Sequence, residues 1–307
     1  MTNLNNTNKY ITIIGYSGYI GSLLKEKLKN EKNLKLIKSN YFYENFVDLK
    51  QSHKKIIYNS KLIYFLTFNN DLKFAEKNPN LHYQQTVSPL KCILSFLKFK
   101  SEITNIIYTS TVTVYGDTKN ININENYLPN PMSVYDKHKL VCENLLLTHS
   151  KFSQIRTNIF RLSNVYGKSS GKSKSKNRGI VNNIIKLAIK GKKLTIYGNG
   201  DYLRDFIHIE DVVNLLLKIK RGKANNIVYN LCYGKSYKLI YLFKTIINLL
   251  KKQKKIQTNL YMIKWPKNSM LIEKRNFKTS IKRKKKDFNW SPKISLNKGI
   301  TNIINES

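Results

Sequence analysis

The chain has 307 residues, 41% of them hydrophobic. That is core enough for one large α/β domain with an extra lobe, or for two joined domains, and it excludes global disorder. The formal net charge of +37 invites a polyanionic partner. Lysine, asparagine, isoleucine and tyrosine are abundant together, however, as AT-rich coding would produce, and no aromatic-interleaved basic motif accompanies the lysines, so no specific nucleic-acid partner is expected.

No apolar run reaches the about 18 residues that a membrane span requires, and the polar start MTNLNNTNKY has no apolar signal core. Cys92, Cys142 and Cys232 are scattered and in no metal-ligand spacing. They read as reduced thiols, so a cytoplasmic protein without a metal site or membrane attachment is expected.

In chain order, Tyr10–Ile14 (YITII) predicts a first strand, followed by a glycine turn and a helix over Tyr19–Leu28. Leu34–Ile37 predicts a second strand. Lys61–Phe68 (KLIYFLTF) is a near-continuous apolar run, as expected of a parallel strand buried on both faces. A helix over Leu81–Phe99, a strand at Ile106–Thr109, a helix over Asp136–Thr148 and a strand at Thr157–Leu162 follow. Such alternation predicts an α/β fold with a doubly wound parallel sheet. Beyond Gly167 the pattern loosens into a Lys/Ser/Gly segment at 168–178. Helices at Ile180–Lys190, from Glu210 and up to Leu250 follow, with strands at Leu194–Tyr197 and Ile227–Leu231. Residues 1–167 are therefore read as a dinucleotide-binding domain carrying the catalytic residues. Residues 168–307 are read mainly as a smaller substrate-binding lobe, with some segments returning to the sheet.

The first strand runs into Gly15-Tyr16-Ser17-Gly18-Tyr19-Ile20-Gly21, a G-x-x-G-x-x-G that opens a helix. Glycine lets the chain turn sharply, lets backbone N–H groups approach a pyrophosphate, and lets helix and strand pack closely. The helix N-terminus then offers unpaired N–H groups to the phosphates. Gly15, Gly18, Tyr19, Ile20 and Gly21 are thus candidate cofactor residues. The second strand ends in Ile37-Lys38-Ser39-Asn40, without the carboxylate that holds the ribose of NAD. Lys38 would suit a 2′-phosphate, so the reading leans to NADP(H) over NAD(H). Asp48, in Phe46-Val47-Asp48-Leu49, is placed to contact the adenine together with Leu49 or to be an ordinary loop aspartate.

Tyr135-Asp136-Lys137-His138-Lys139 is Y-x-x-x-K at a helix start, and i,i+4 spacing puts Tyr135 and Lys139 on one face. A free phenol titrates near about pH 10. A nearby ammonium favours the phenolate and makes it a better acid/base. Thr111, in TSTVTVYG at Thr109–Gly116, follows a predicted strand and points into the crevice where open parallel sheets bind ligands.

These blocks, with PMSVYDKHKLVCE, RLSNVYG, YGNGDYLRDFIHIEDVV and FNWSPKISLNKGI, come in the order of a known family. The chain resembles the extended short-chain dehydrogenases, the nucleotide-sugar epimerase/dehydratase/reductase group, over nearly its whole length. The resemblance implies a Rossmann-type fold and a catalytic set of Thr111, Tyr135 and Lys139. It also implies a nucleotide-sugar substrate held by Asn164 and Arg204, with Asn183 on the substrate-side helix, and a homodimer. His138 and His208 match no catalytic position and are read as structural or solvated. The sequence departs from the family at Thr67, Phe68 and Thr86, near the cofactor. Family dehydratases carry Asp-Glu directly after the catalytic threonine, whereas this chain has Val112 and Thr113, so dehydration is not expected. A 4-keto-6-deoxy-sugar reductase is the first reading and a C4 epimerase the second. A non-catalytic dinucleotide or RNA binder stands third, against the intact Thr–Tyr–Lys set.

Overall fold

The computed structural model describes residues 9–38, 50–118, 122–170, 179–219, 226–266 and 274–306. Thirteen strands lie among them. In chain order they are β1 (Tyr10–Ile14), β2 (Leu34–Ile37), β3 (Ser60–Phe65), β4 (Thr104–Thr111), β5 (Asn122–Ile123), β6 (Ile155–Leu162) and β7 (Asn164–Tyr166). They continue with β8 (Leu194–Tyr197), β9 (Leu203–His208), β10 (Ile227–Leu231), β11 (Ser236–Lys238), β12 (Leu260–Ile263) and β13 (Lys278–Thr279).

Six strands form the central parallel sheet in the order β10-β6-β4-β3-β1-β2. The apolar runs that define β1, β3 and β4 are buried along nearly their whole length, as strands covered on both faces must be. β1 pairs in parallel with both β2 and β3, so the connections diverge on either side of it, the arrangement that opens a crevice at the strand C-termini. The expected doubly wound sheet is present.

Two compact units partition the chain. The first comprises residues 1–114, 131–161 and 215–229, and the second comprises residues 115–130, 162–214 and 230–307. The chain thus passes between units more than once. Its return over 215–229 follows from β10 pairing beside β6, which no local pattern in the sequence encodes. The first unit's core joins Ile14, Ile63, Phe65 and Ile159 of the sheet to Leu90 and Leu94 of one helix and Leu146 of another. The second unit has its own core, in which Val181, Ile185 and Ala188 meet Leu242, Ile246, Ile300 and Ile304.

Element bounds shift where proline or a strand end intervenes. The expected helix over Leu81–Phe99 is two helices, Pro79–Thr86 and Ser88–Leu97. Pro89 has no N–H to continue the first, so the chain restarts at Val87. The run expected as a strand to Phe68 ends at Phe65, which releases Thr67 and Phe68 from the sheet edge. No helix among the described residues is long and apolar enough to cross a membrane.

Candidate active site

The glycine turn closes tightly over the end of β3. Gly15 has φ +90°, and a Cβ there would come within 2.8 Å of the Thr67 nitrogen. A Cβ on Gly21 would come within 2.2 Å of the Gly15 carbonyl oxygen. Only hydrogen fits at either position, so the first turn of helix Tyr19–Lys27 lies against the loop after β1. Gly18 is that helix's N-cap and provides no side-chain cap. Beside this cradle the Thr67 hydroxyl is buried with no hydrogen-bond partner among the described residues. A glycine cradle at a helix N-terminus, bordered by an unsatisfied hydroxyl, fits a dinucleotide pyrophosphate. Lys38 is exposed at the end of β2. Asp48 and Leu49 lie outside the described residues.

Helix Val134–Phe152 carries the tyrosine and lysine. Ser133 caps it by accepting from the Asp136 N–H at 3.1 Å, and Glu76 accepts from the Val134 N–H at 2.8 Å. This fixes the first turn. Tyr135 is half-buried, with its ring edge-to-face against Phe68 at 5.5 Å between centroids. One turn on, Lys139 is buried, and its ammonium lies 5.9 Å from the Tyr135 ring. Nζ donates to the Thr109 carbonyl at 2.8 Å and sits 3.8 Å over the Phe68 ring. Burial pulls the Lys139 pKa down to about 7, against the opposing effect of Cys142 and Glu143. The departure at Phe68 thus has a use, because its ring faces the cation that a smaller residue would leave uncovered.

Thr111 is the last residue of β4, and a short 3₁₀ turn over Val112–Tyr115 follows. That turn folds Thr113 back so that its N–H donates to Thr111 Oγ1 at 3.2 Å, while the two hydroxyl oxygens lie 2.8 Å apart. Thr113 Oγ1 in turn donates to Asp136 Oδ1, and Asp136 is fully buried. The sequence shows no carboxylate next to Thr111; the fold brings one there from the neighbouring helix. Ser110 points the other way and donates to Glu143, which also takes Arg161 Nε at 3.1 Å and Nη2 at 2.6 Å. This buried ion pair ties β6 to the helix behind the end of β4.

The histidines are structural in this arrangement. His138 Nδ1 lies 2.7 Å from His82 Nδ1, and His82 Nε2 bonds the Asn69 carbonyl at 2.9 Å. The carbonyl can only accept, so His82 carries its proton on Nε2 and His138 is the donor to it. Burial and the neighbouring His82 lower His138 to about 4. His208 Nδ1 accepts from the Glu210 N–H at 3.3 Å. Thr86 Oγ1 donates to the His82 carbonyl at 2.5 Å.

In the second unit, parallel pairing of β7 and β9 puts Asn164 opposite Phe206, two residues from Arg204. Asn164 Nδ2 donates to the Asp205 carbonyl at 2.9 Å. Arg204 is half-buried and donates from Nη1 to the Leu203 carbonyl at 2.9 Å and to the Arg275 carbonyl. The Arg204 guanidinium lies 6.0 Å and that of Arg275 4.7 Å from the Phe277 ring. Arg275 is buried, and no sequence motif singles it out. Asn183 is exposed. Its neighbour Asn182 is the inward residue, and its side chain bonds both the N–H and the carbonyl of Gly167.

Residues 11–232 match the model of the NAD dependent epimerase/dehydratase family. The chain belongs to that family. This makes it an enzyme of the short-chain dehydrogenase type, in keeping with the cradle and the Thr–Tyr–Lys set. Among curated relatives, UDP-glucuronic acid decarboxylase 6 of Arabidopsis thaliana is 27% identical across 96% of this chain and 87% of its own length. The solved UDP-glucose 4-epimerase of Thermotoga maritima, with UDP-glucose, aligns with a TM-score of 0.80 at 20% identity, covering 96% of this chain and 97% of that one. The UDP-glucuronic acid 4-epimerase of Bacillus cereus, with UDP-glucuronic acid and NAD, aligns with a TM-score of 0.79 at 21% identity, over 97% and 99%. At these identities the two structures share the fold of this family member.

Proposed function

We propose that the chain is an NAD(H)-dependent enzyme that oxidises and re-reduces C4 of a UDP-activated sugar without net redox change, in the manner of a 4-epimerase. The observation that carries this reading is Thr111 at the end of β4, in the unit that holds Tyr135 and buried Lys139 one helical turn apart. Support for the substrate class comes from the names of the relatives, which act on or hold UDP-glucose or UDP-glucuronic acid. A bound nicotinamide dinucleotide supplies the hydride acceptor and donor.

The rest is work for side chains. The N–H groups between Gly15 and Gly21 hold the pyrophosphate. Tyr135 Oη takes the proton from the C4 hydroxyl and gives it back. Lys139 Nζ orients the cofactor ribose and keeps a cation beside the phenol. Arg204 grips the sugar nucleotide's diphosphate, for which a guanidinium fork is well shaped, with Arg275 as a second grip and Asn164 as a further contact.

The reductase reading, with NADPH and a 4-keto-6-deoxy sugar, is favoured by exposed Lys38 at the end of β2. Purification decides between them. NAD(H) retained on the purified protein, with UDP-sugar interconversion, is the expected outcome. NADPH consumption by a 4-keto sugar without retained cofactor would overturn it. Tyr135→Phe is expected to lower turnover about 10²–10⁴-fold while dinucleotide binding persists; full activity in that variant would refute the assignment.

A further inference from the structure

A buried ammonium ordinarily needs a carboxylate beside it. Lys139 is 4% exposed, and among the described residues no carboxylate forms an ion pair with it. Glu143, one turn on, is spent on Arg161 and Ser110, and Asp136 accepts from Thr113. Lys139 Nζ has instead one carbonyl acceptor, that of Thr109 at 2.8 Å, and two aromatic faces, Phe68 at 3.8 Å and Tyr108 at 5.0 Å. Phe68 is the nearer face and is itself buried, at 8% exposure. It stands just past the end of β3, and its ring also packs edge-to-face with Tyr135.

We infer that Phe68 is a positioning residue whose ring stands in for a counter-ion, keeping Lys139 charged beside Tyr135, and so sets the pH above which turnover weakens. This rests on the proposed reaction, which needs an ammonium next to the phenol. A π face over a desolvated cation favours the charged form and opposes burial, which draws Lys139 down to about 7. Loss of that face lowers the amine further. The other titratable groups around Nζ do not compensate. Tyr108 of β4 and Cys142 of the same helix are pushed up by burial, Cys142 to about 12, so both stay neutral near pH 7. Glu143 is matched by Arg161. His82, from helix Pro79–Thr86, is lowered by burial and meets the Phe68 ring with centroids 5.5 Å apart. A leucine in place of Phe68 fills much of its volume and has no π face.

The test compares Phe68→Leu with the wild-type chain, each also in a Lys139→Met background, by melting curves from about pH 5.5 to about pH 9. Phe68→Leu is expected to melt lower throughout from lost packing. The deficit should be about 2 °C larger at about pH 6 than at about pH 9, because only the charged amine loses a partner. In the Lys139→Met background the deficit is expected to be nearly constant, and any pH dependence left there belongs to His82. Turnover of UDP-glucose is expected to show the opposite trend. In Phe68→Leu, kcat should fall about five- to tenfold at about pH 8 and little at about pH 5.5, with KM nearly unchanged. Phe68→Tyr, which keeps a π face, should restore it. A purely packing role would lower stability equally across pH and leave the shape of the kcat profile alone. If Phe68→Leu fails to fold, Phe68→Met, an adaptable apolar filler, carries the test. A melting deficit that ignores pH, or one whose pH dependence persists in full without Lys139, overturns the inference. An active wild-type chain whose kcat profile is unmoved in Phe68→Leu also overturns it, and leaves the proposed reaction standing. Absence of turnover in the wild-type chain overturns the proposed reaction itself, and this inference with it.

Discussion

Two buried carboxylates stand seven residues apart on helix Val134–Phe152. Glu143 is closed: a buried guanidinium and a serine hydroxyl from two flanking strands converge on it. Asp136 is met by the hydroxyl of Thr113, and through it the chain continues to Thr111 at the strand end. One carboxylate is spent on an ion pair, and the other ends a chain of hydroxyls that begins at Thr111. What separates them is their partners, since burial is the same: both are at most 1% exposed. A charge partner fixes a position, whereas a hydroxyl partner passes on a direction.

The comparison is broken most strongly at Glu143. Glu143→Ala removes the counter-charge of buried Arg161 and is expected to cost about 3–5 kcal/mol of folding stability, read from denaturant midpoints. Between the two carboxylates, Lys139 supplies the next effect. Its folded pKa of about 7 lies below the ordinary lysine value, so between those limits the unfolded chain binds more protons. Stability should therefore rise with pH from about 7 to 10, with a slope of up to about 1.4 kcal/mol per pH unit. Lys139→Met is expected to flatten that slope and abolish turnover, and melting curves across pH would show it. Ser110→Ala, which removes one donor to the charged Glu143, should cost about 1.5–3 kcal/mol. Asp136→Asn, whose amide oxygen can still accept from Thr113, should have the smallest effect on stability, below about 1 kcal/mol. A loss as large as that of Glu143→Ala would show that the two carboxylates do the same job.

Much of the site could be read along the chain because its motifs are local. Gly15–Gly21 and Tyr135–Lys139 each lie within one turn and one helix, where spacing alone dictates the shared face. Thr111 could be placed because a strand must end near it. Thr113 stands where dehydratases carry a carboxylate, and Asp136 lies inside the Y-x-x-x-K spacing. Their link needs a 3₁₀ turn after β4 and a helix from 23 residues downstream to converge, and no periodicity announces that. Helix phase puts Asn183 outside and its neighbour Asn182 against Gly167. Arg275 gains a place only through the fold, which sets it beside Phe277 and Arg204.

The sequence by itself determined the class of fold and put forward the glycine turn and the hydroxyl, phenol and ammonium of the proposed site. Each rests on contacts between residues a few positions apart, and backbone geometry makes those nearly obligatory. Tertiary structure alone decided which buried carboxylate is spent on an arginine and which reaches the hydroxyl at the strand end. That choice depends on which strands and helices meet, because hydrogen-bond direction belongs to a network and not to any one residue in it.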